Sequence, residues 1–399
     1  MGEFKNIQTR AYVVDKVGDP FVLQDVVLDE VRDDEVLVEM KYTGLCHTDI
    51  VVQHGGMPVG SYPAVLGHEG VGIVRHIGSS VTNKDLSRGD TVLLSMHNCY
   101  SCRQCNSGRI GACERSTELN FLTARLAKNA KSPISLPDGS PVHGQFFGQS
   151  SLSKMAVVAQ NCVVKLHGAR PEDLAFLPPL ACGYLSGAGT VFNVLDPSPE
   201  DTVAVLGVGA VGSAAIMAAK QRGAKSIVAV DIVDYKLQLA LTLGATHIID
   251  SKAVDDLTTG IREIFPDGIN KIIDTTGLPF LLNSAFDALS HGGTLALVGV
   301  PPPTADVKFN ALSMLTGCKQ VIGVIEGWAD PQKLVPQLLQ LFNEGKFPID
   351  KISKTYPADN LDAALADLKS GRVSSQSESP PDSPFVLNDE KVIKPILSW

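Results

Sequence analysis

No apolar run in this 399-residue chain approaches the roughly 20 residues that a membrane-spanning helix requires. The opening Met1-Gly-Glu-Phe-Lys5 has no apolar core of a secretory leader, and Asn6 stands where an N-terminal lipidation signal carries Ser or Thr. Positive charge is also in deficit. Lys and Arg number 34 against 43 Asp and Glu, a formal net charge of −9, which argues against nucleic acid as a main partner. The expectation is a soluble, cytoplasmic protein without membrane or nucleic-acid partners. What is present suffices for a core: 44% of residues are hydrophobic, and the length suits about two domains. There are eight cysteines, and four of them crowd into residues 99–113. In a reducing compartment such a cluster favours metal binding over disulfides.

The chain is organised around Thr202-Val-Ala-Val-Leu-Gly-Val-Gly-Ala-Val-Gly-Ser213. An apolar run reads as a buried parallel strand. Gly207, Gly209 and Gly212 follow in G-x-G-x-x-G spacing, and the Ala-rich segment after them is a strong helix former. Gly207 allows a tight turn, Gly209 lets a pyrophosphate approach the backbone, and Gly212 lets helix and strand pack closely. The helix N-terminus then offers free N–H groups to the phosphates. Asp231 ends the next strand, where a carboxylate accepts the ribose hydroxyls of NAD and repels the 2′-phosphate of NADP. Further strands read at 226–231, 246–249, 270–274, 294–299 and 320–324, with helices between them, so residues 201–325 predict a doubly wound parallel sheet.

The opening third alternates apolar and polar residues and is glycine-rich, the pattern of an irregular β domain. Cys99-x-x-Cys102-x-x-Cys105-x7-Cys113 can close a tetrahedral zinc site with no open position, which is a structural site. Residues 116–145 are rich in Ser, Pro, Lys and Gly and read as a surface excursion. Residues 372–390 combine Ser, Pro and acids, and read as a mobile surface insert.

Cys46, His68 and Cys182 lie far apart, each beside glycine or a bend. A sulfur–nitrogen–sulfur set leaves one zinc position open, where the metal can lower the pKa of a water or alcohol oxygen. Gly67-His68-Glu69-Gly70-x-Gly72, the four-cysteine lobe and the Gly207 fingerprint, in that order, resemble the zinc-dependent medium-chain alcohol dehydrogenases over nearly the whole chain. That likeness implies an α/β fold: a GroES-like irregular β domain and a Rossmann doubly wound domain. It divides the chain into a catalytic zinc domain (1–184), an NAD-binding domain (185–324), and a return to the catalytic domain (325–399).

The resemblance also implies roles. Cys46, His68 and Cys182 would bind a catalytic Zn2+, with Glu69 close behind as a second-shell or transient ligand, and Thr48 would accept the alcohol proton. Cys99, Cys102, Cys105 and Cys113 would bind the second, structural zinc. His47 and Lys394 would meet the cofactor pyrophosphate, and Asp231 and Lys236 the adenosine ribose. Ser186 and Val211 would pack on the nicotinamide, with Val298 and Val300 bordering the cofactor. Phe146, Phe147 and Val300 would line the substrate pocket. A homodimer or homotetramer assembled through the cofactor domain is implied as well.

Narrower motifs are similar to the aryl-alcohol (benzyl-alcohol) dehydrogenase branch: Cys46-His47-Thr48-Asp49, Phe147-Gly148-Gln149-Ser150-Ser151, Asp274-Thr275-Thr276-Gly277, Glu326-Gly327 and Lys391-Val-Ile-Lys394. They imply NAD-linked interconversion of a primary, aromatic or allylic alcohol and its aldehyde. The alternatives are a polyol or glutathione-adduct dehydrogenase on the same scaffold, or a non-catalytic NAD sensor. The chain departs from the family twice. Val51 occupies the position where many relatives carry a proton-relaying histidine, and 372–390 interrupts an otherwise continuous match, as an inserted loop or a retained in-frame intron would.

Overall fold

A computed structural model describes residues 4–122, 125, 130–370 and 393–399. The insert at 372–390 lies outside the described residues.

The strand Thr202–Leu206 is buried along Val203–Leu206, its neighbour Ser226–Asp231 carries a similar apolar run, and Ile269–Asp274 is buried at Ile269 and from Ile272 onward. Strands covered on both faces need no alternation, and this is how parallel sheets read. The six-stranded sheet runs in the spatial order His247–Asp250, Ser226–Asp231, Thr202–Leu206, Ile269–Asp274, Leu289–Leu297 and Gln320–Gly323, every neighbouring pair parallel. The direction of winding reverses between Thr202–Leu206 and Ile269–Asp274. A crevice therefore opens beyond the carboxyl ends of these strands, and Gly207 sits in it.

The other two sheets are largely antiparallel. A seven-stranded sheet is built around the long strand Glu35–Gly44, which pairs with Gly70–Ile77, Met155–Ala159 and Lys394–Ser398. Ile396 stands opposite Gly44, so the C-terminal strand starts beside the loop that begins at Leu45, whose N–H donates to the Pro395 carbonyl. A five-stranded sheet centred on Ile7–Val14 and Val22–Leu28 lies alongside.

The residues 116–145, expected at the surface, pack inward in several places. Leu119 and Phe121 are buried, Ile134–Ser135 pairs with Val27 and Leu28, and Arg125 is buried with its guanidinium 2.9 Å from Glu35. Their apolar residues are spaced without period among Ser and Lys, so tertiary packing rather than local pattern decides their burial.

One contact fixes the catalytic loops against the cofactor sheet. The helix Ala210–Arg222 begins after Gly209 and ends at Gly223 (φ 74°), a left-handed stop suited to glycine. Ala214 to Ala219 are all buried, because the helix is covered by a second helix, Gly183–Gly189. A Cβ on Gly187 would lie 2.0 Å from the Val211 carbonyl oxygen, so the two backbones touch. Gly187→Ala is expected to push the helices apart and cost about 1–3 kcal/mol. Denaturant melts read this directly; an unchanged midpoint would show that the contact has slack.

Candidate active site

The glycine turn is built for close approach. Gly207 has φ 88°, and a Cβ on Gly212 would lie 1.9 Å from the Gly207 carbonyl oxygen, so only glycine lets this helix start so close to its strand. In front of Gly209 nothing lies within 4 Å of where a Cβ would stand. That open space over backbone N–H groups fits a dinucleotide pyrophosphate. Asp231 is held at the mouth of the turn: one carboxylate oxygen accepts the Val208 N–H at 2.7 Å, the other the N–H groups of Ile232 and Val233 at 2.8 and 3.1 Å. Asp274 is buried and accepts from Thr276 Oγ1 and from the Thr276 and Gly277 backbone, while Thr275 Oγ1 donates to the Leu206 carbonyl. The Asp-Thr-Thr-Gly motif thus buttresses the glycine turn.

The structure brings two four-residue donor sets together, each with its ligand atoms within 4.8 Å of one another: Cys99, Cys102, Cys105 and Cys113, and Cys46, His68, Glu69 and Cys182. In the first set the sulfurs of Cys99 stand 3.5 Å from Cys113 and 3.9 Å from Cys105. These exceed a disulfide and match the ~3.8 Å edge of a tetrahedron with Zn–S bonds of about 2.3 Å. Backbone N–H groups of Ser101, Cys102, Cys105 and Glu114 point at these sulfurs. Burial opposes a thiolate at Cys99, but the Ser101 and Cys102 N–H groups bring its pKa down to about 6. Backbone N–H groups thus favour thiolates at Cys99 and Cys102, whereas burial raises Cys105 and Cys113, and four sulfurs around one point suit a structural zinc.

In the second set, Cys46 is the residue before the helix His47–Gln53, and Asp49 in its first turn accepts the Cys46 N–H at 3.2 Å. The other Asp49 oxygen lies 3.0 Å from His68 Nδ1 and accepts the Gly67 N–H, also at 3.0 Å. This fixes the imidazole with Nε2 pointing inward, and Nε2 is buried with no hydrogen-bond partner. Glu69 Oε2 is likewise buried and unpartnered, while its Oε1 accepts from Lys394 Nζ at 2.7 Å. Two thiols, an imidazole nitrogen and a carboxylate oxygen, two of the four orphaned, suit Zn2+.

The electrostatics agree. Cys46 is held well below the usual thiol range, first by its hydrogen bond with Cys182 and then, against burial, by Lys394 and His68. Burial disfavours charge on His68, yet Asp49 and Cys46 outweigh it and raise its pKa well above the usual value. A divalent cation on Nε2 would answer the same pull. Burial pushes Glu69 up to about 7, with Lys394 drawing it down.

Around this set Phe147 stacks on the His68 ring at 4.5 Å, and Phe146 and Phe121 complete an aromatic wall, their rings 5.7 Å apart. Thr48 Oγ1 lies 3.7 Å from the Cys46 sulfur. Ser186 is buried against the carboxylate of Glu326 at 3.1 Å, and Val211 faces the same helix near Gly183. Lys394, read as a pyrophosphate contact, is 2% exposed and gives its ammonium to Glu69. Lys236 is buried on the helix Asp234–Leu243, Val298 packs on the core, and Val300 is 55% exposed.

Four residues carry structural work that the motifs alone left unassigned: Asp49, Gln149, Gly44 and Glu326. The Gln149 amide ties the His68 and Ser95 carbonyls to the Gly70 N–H. A Cβ on Gly44 would lie 2.0 Å from Glu69 Oε2, so only glycine admits that carboxylate. For Asp49 a signal existed, since an acid three residues after a helix-capping position is capping-box spacing.

A doubly wound sheet joined to a β domain that carries a closed cysteine set and a mixed, half-orphaned donor set is the arrangement of a metal-dependent dehydrogenase. Residues 32–168 match the alcohol dehydrogenase GroES-like domain family, and residues 210–344 the zinc-binding dehydrogenase family. A geraniol dehydrogenase from Castellaniella defragrans is 36% identical, covering 92% of this chain and 96% of its own. Among solved structures, an alcohol dehydrogenase zinc-binding domain protein from Burkholderia ambifaria matches with TM-score 0.88 and 38% identity, over 98% of this chain and 99% of its own. The benzyl alcohol dehydrogenase of Acinetobacter calcoaceticus matches with TM-score 0.87 and 37% identity over the same shares. The chain belongs to the zinc-dependent medium-chain alcohol dehydrogenases and is an oxidoreductase.

Proposed function

We propose that this enzyme interconverts a primary aromatic or allylic alcohol and its aldehyde with NAD(H), using one catalytic and one structural zinc per chain. The observation that carries this is the orphaned His68 Nε2 among Cys46, Glu69 and Cys182, under a wall of three phenylalanines. Flat substrates suit such a wall, and the relatives named for geraniol and benzyl alcohol favour this reading over polyols or glutathione adducts. Bound here, zinc would polarise the alcohol oxygen and NAD would accept the hydride. Thr48 receives the alcohol proton, and Asp49 and Gln149 keep His68 in register. Ser186 and Val211 hold the nicotinamide; the N–H groups beside Gly209, with His47, hold the pyrophosphate; Asp231 and Lys236 hold the ribose; Val298 and Val300 flank the cofactor. Residues 1–184 and 325–399 form the catalytic domain and 185–324 the cofactor domain. Among the described residues no helix is long and apolar enough to cross a membrane. We assign the protein to the cytoplasm as a homo-oligomer through the cofactor domain, where Leu312 and Leu315 are exposed beside the outer strand Gln320–Gly323.

NADH formation against benzyl, cinnamyl, aliphatic and polyol alcohols tests the substrate class. Aromatic and allylic alcohols should have the highest kcat/KM, and a preference for polyols would overturn the reading.

Cofactor choice should follow Asp231, whose carboxylate meets a 2′-phosphate with like charge. Asp231→Ser is expected to raise the NADP-to-NAD ratio of kcat/KM by about tenfold to a hundredfold. Equal use of both cofactors by the unaltered enzyme would remove the basis of the assignment.

Val51 has no titratable group, so a proton passed on by Thr48 must leave through ribose and water. Val51→His is expected to raise oxidation severalfold on the acid side of the pH profile, because an imidazole pKa near 6.5 suits the relay. His54 is exposed at the end of the same helix. His54→Ala should change little; a large loss rescued by added imidazole would show that His54 carries the proton.

A further inference from the structure

Gln149 reaches further than His68. It lies in a strained segment: Gln145, Phe147 and Ser150 take φ 55°, 53° and 51°, the left-handed region that such side chains rarely adopt, with Gly148 at φ 70° among them. The segment is fixed against the loop that carries His68. The Ser151 N–H donates to the Gly67 carbonyl at 3.0 Å, and Ser150 Oγ donates to the Val65 carbonyl at 2.7 Å. The backbone so held leaves the Gln149 side chain wholly buried.

Both amide hydrogens and the amide oxygen of Gln149 are engaged by backbone. The hydrogens go to the carbonyls of His68 at 2.9 Å and Ser95 at 3.0 Å, and the oxygen accepts the Gly70 N–H at 3.2 Å. The His68 carbonyl and the Gly70 N–H belong to the two peptide units that flank Glu69, so one side chain fixes both. Ser95, also fully buried, carries the contact onward: its hydroxyl donates at 2.7 Å to the Ala181 carbonyl, in the peptide unit that leads into Cys182. On the other side Asp49 joins Cys46 to His68. Three separate stretches of chain supply Cys46, His68 with Glu69, and Cys182, and these buried side chains tie them together. An apolar side chain of glutamine's size makes none of these bonds, and an ionised glutamate has no hydrogen for the two carbonyls. A donor set that keeps one position open for substrate has fewer protein ligands to define its shape than a closed set of four, so what surrounds the ligands matters more.

We propose that Gln149 and Ser95 are positioning residues, a buried bridge that locks Cys182 to His68 and Glu69 and slows the escape of the catalytic metal. This rests on the reading that Cys46, His68 and Cys182 hold a catalytic zinc. Both residues act through the backbone of the ligands.

Release of zinc to a chromogenic chelator tests the bridge without turnover. Two zincs per chain are expected, and the His68→Ala enzyme, which keeps only the lobe zinc, identifies which phase of release belongs to the lobe. Ser95→Ala removes a single hydroxyl and should speed release of the catalytic zinc about tenfold or more, with the lobe phase unchanged. Gln149→Met should do the same. The double variant should release it no faster than the quicker single variant, because both substitutions break one bridge. If Gln149→Met does not fold, Ser95→Ala decides alone. Ser95 lies shortly before Cys99, so a merely structural role would speed both phases alike, and that result overturns the proposal. Single effects that multiply in the double variant overturn it too. Two zincs released from Ser95→Ala at the unaltered enzyme's rates sink the bridge alone, whereas an unaltered enzyme that holds a single zinc removes the catalytic-metal reading as well.

Discussion

Replacing His68 with Ala is expected to lower alcohol oxidation by about a thousandfold or more while leaving a folded protein. The imidazole packs on Phe147 and Phe146 and bonds Asp49, but its distinctive part is the inward nitrogen of the donor set. Its loss leaves Cys46, Cys182 and Glu69, whose carboxylate is already held by Lys394. Three ligands of that kind bind zinc weakly and cannot keep one position open in a fixed direction. Cys46→Ser should behave alike, since a hydroxyl is a poor substitute for a thiolate ligand. Metal analysis should find one zinc retained per chain, in the cysteine lobe. A His68→Ala enzyme with near-normal turnover would mean that the chemistry lies elsewhere.

The second large effect falls on stability. Cys102→Ser should cost about 3 kcal/mol or more and reduce the yield of folded protein, because a closed structural site contributes its binding energy to folding. The lobe has little else to hold it. Its apolar cluster is small, with Ile110 and Leu119 packed among the cysteines, and two of the four sulfurs belong to partly exposed residues. The lobe also supports the active site at a distance: a Cβ on Gly111 would lie 2.9 Å from the Ile325 carbonyl oxygen, next to Glu326. Loosening it should therefore lower turnover as a secondary effect. Unchanged zinc content and melting temperature in Cys102→Ser would contradict a structural metal.

These two sites were legible in the sequence to different degrees, for physical reasons. The cysteine lobe and the glycine turn are local. Spacing alone places four thiols around one point, and Gly207, Gly209 and Gly212 answer to backbone sterics that act within a single turn. Cys46, His68 and Cys182 are joined only by tertiary structure, and resemblance rather than spacing connects them. Phe121 could not be read as part of the aromatic wall, because it sits in a polar stretch and is drawn inward by Phe146 and Phe147. Lys394 is the instructive case. A lysine near a phosphate-binding crevice reads as a phosphate contact, but the buried carboxylate of Glu69, just before the strand Gly70–Ile77, holds its ammonium at 2.7 Å.

The most direct test of the central claim is diffraction from crystals of the purified enzyme at the zinc absorption edge. Two anomalous peaks per chain are expected, one among Cys99, Cys102, Cys105 and Cys113, and one in contact with Cys46, His68 and Cys182. A fully active enzyme without the second peak would contradict the account.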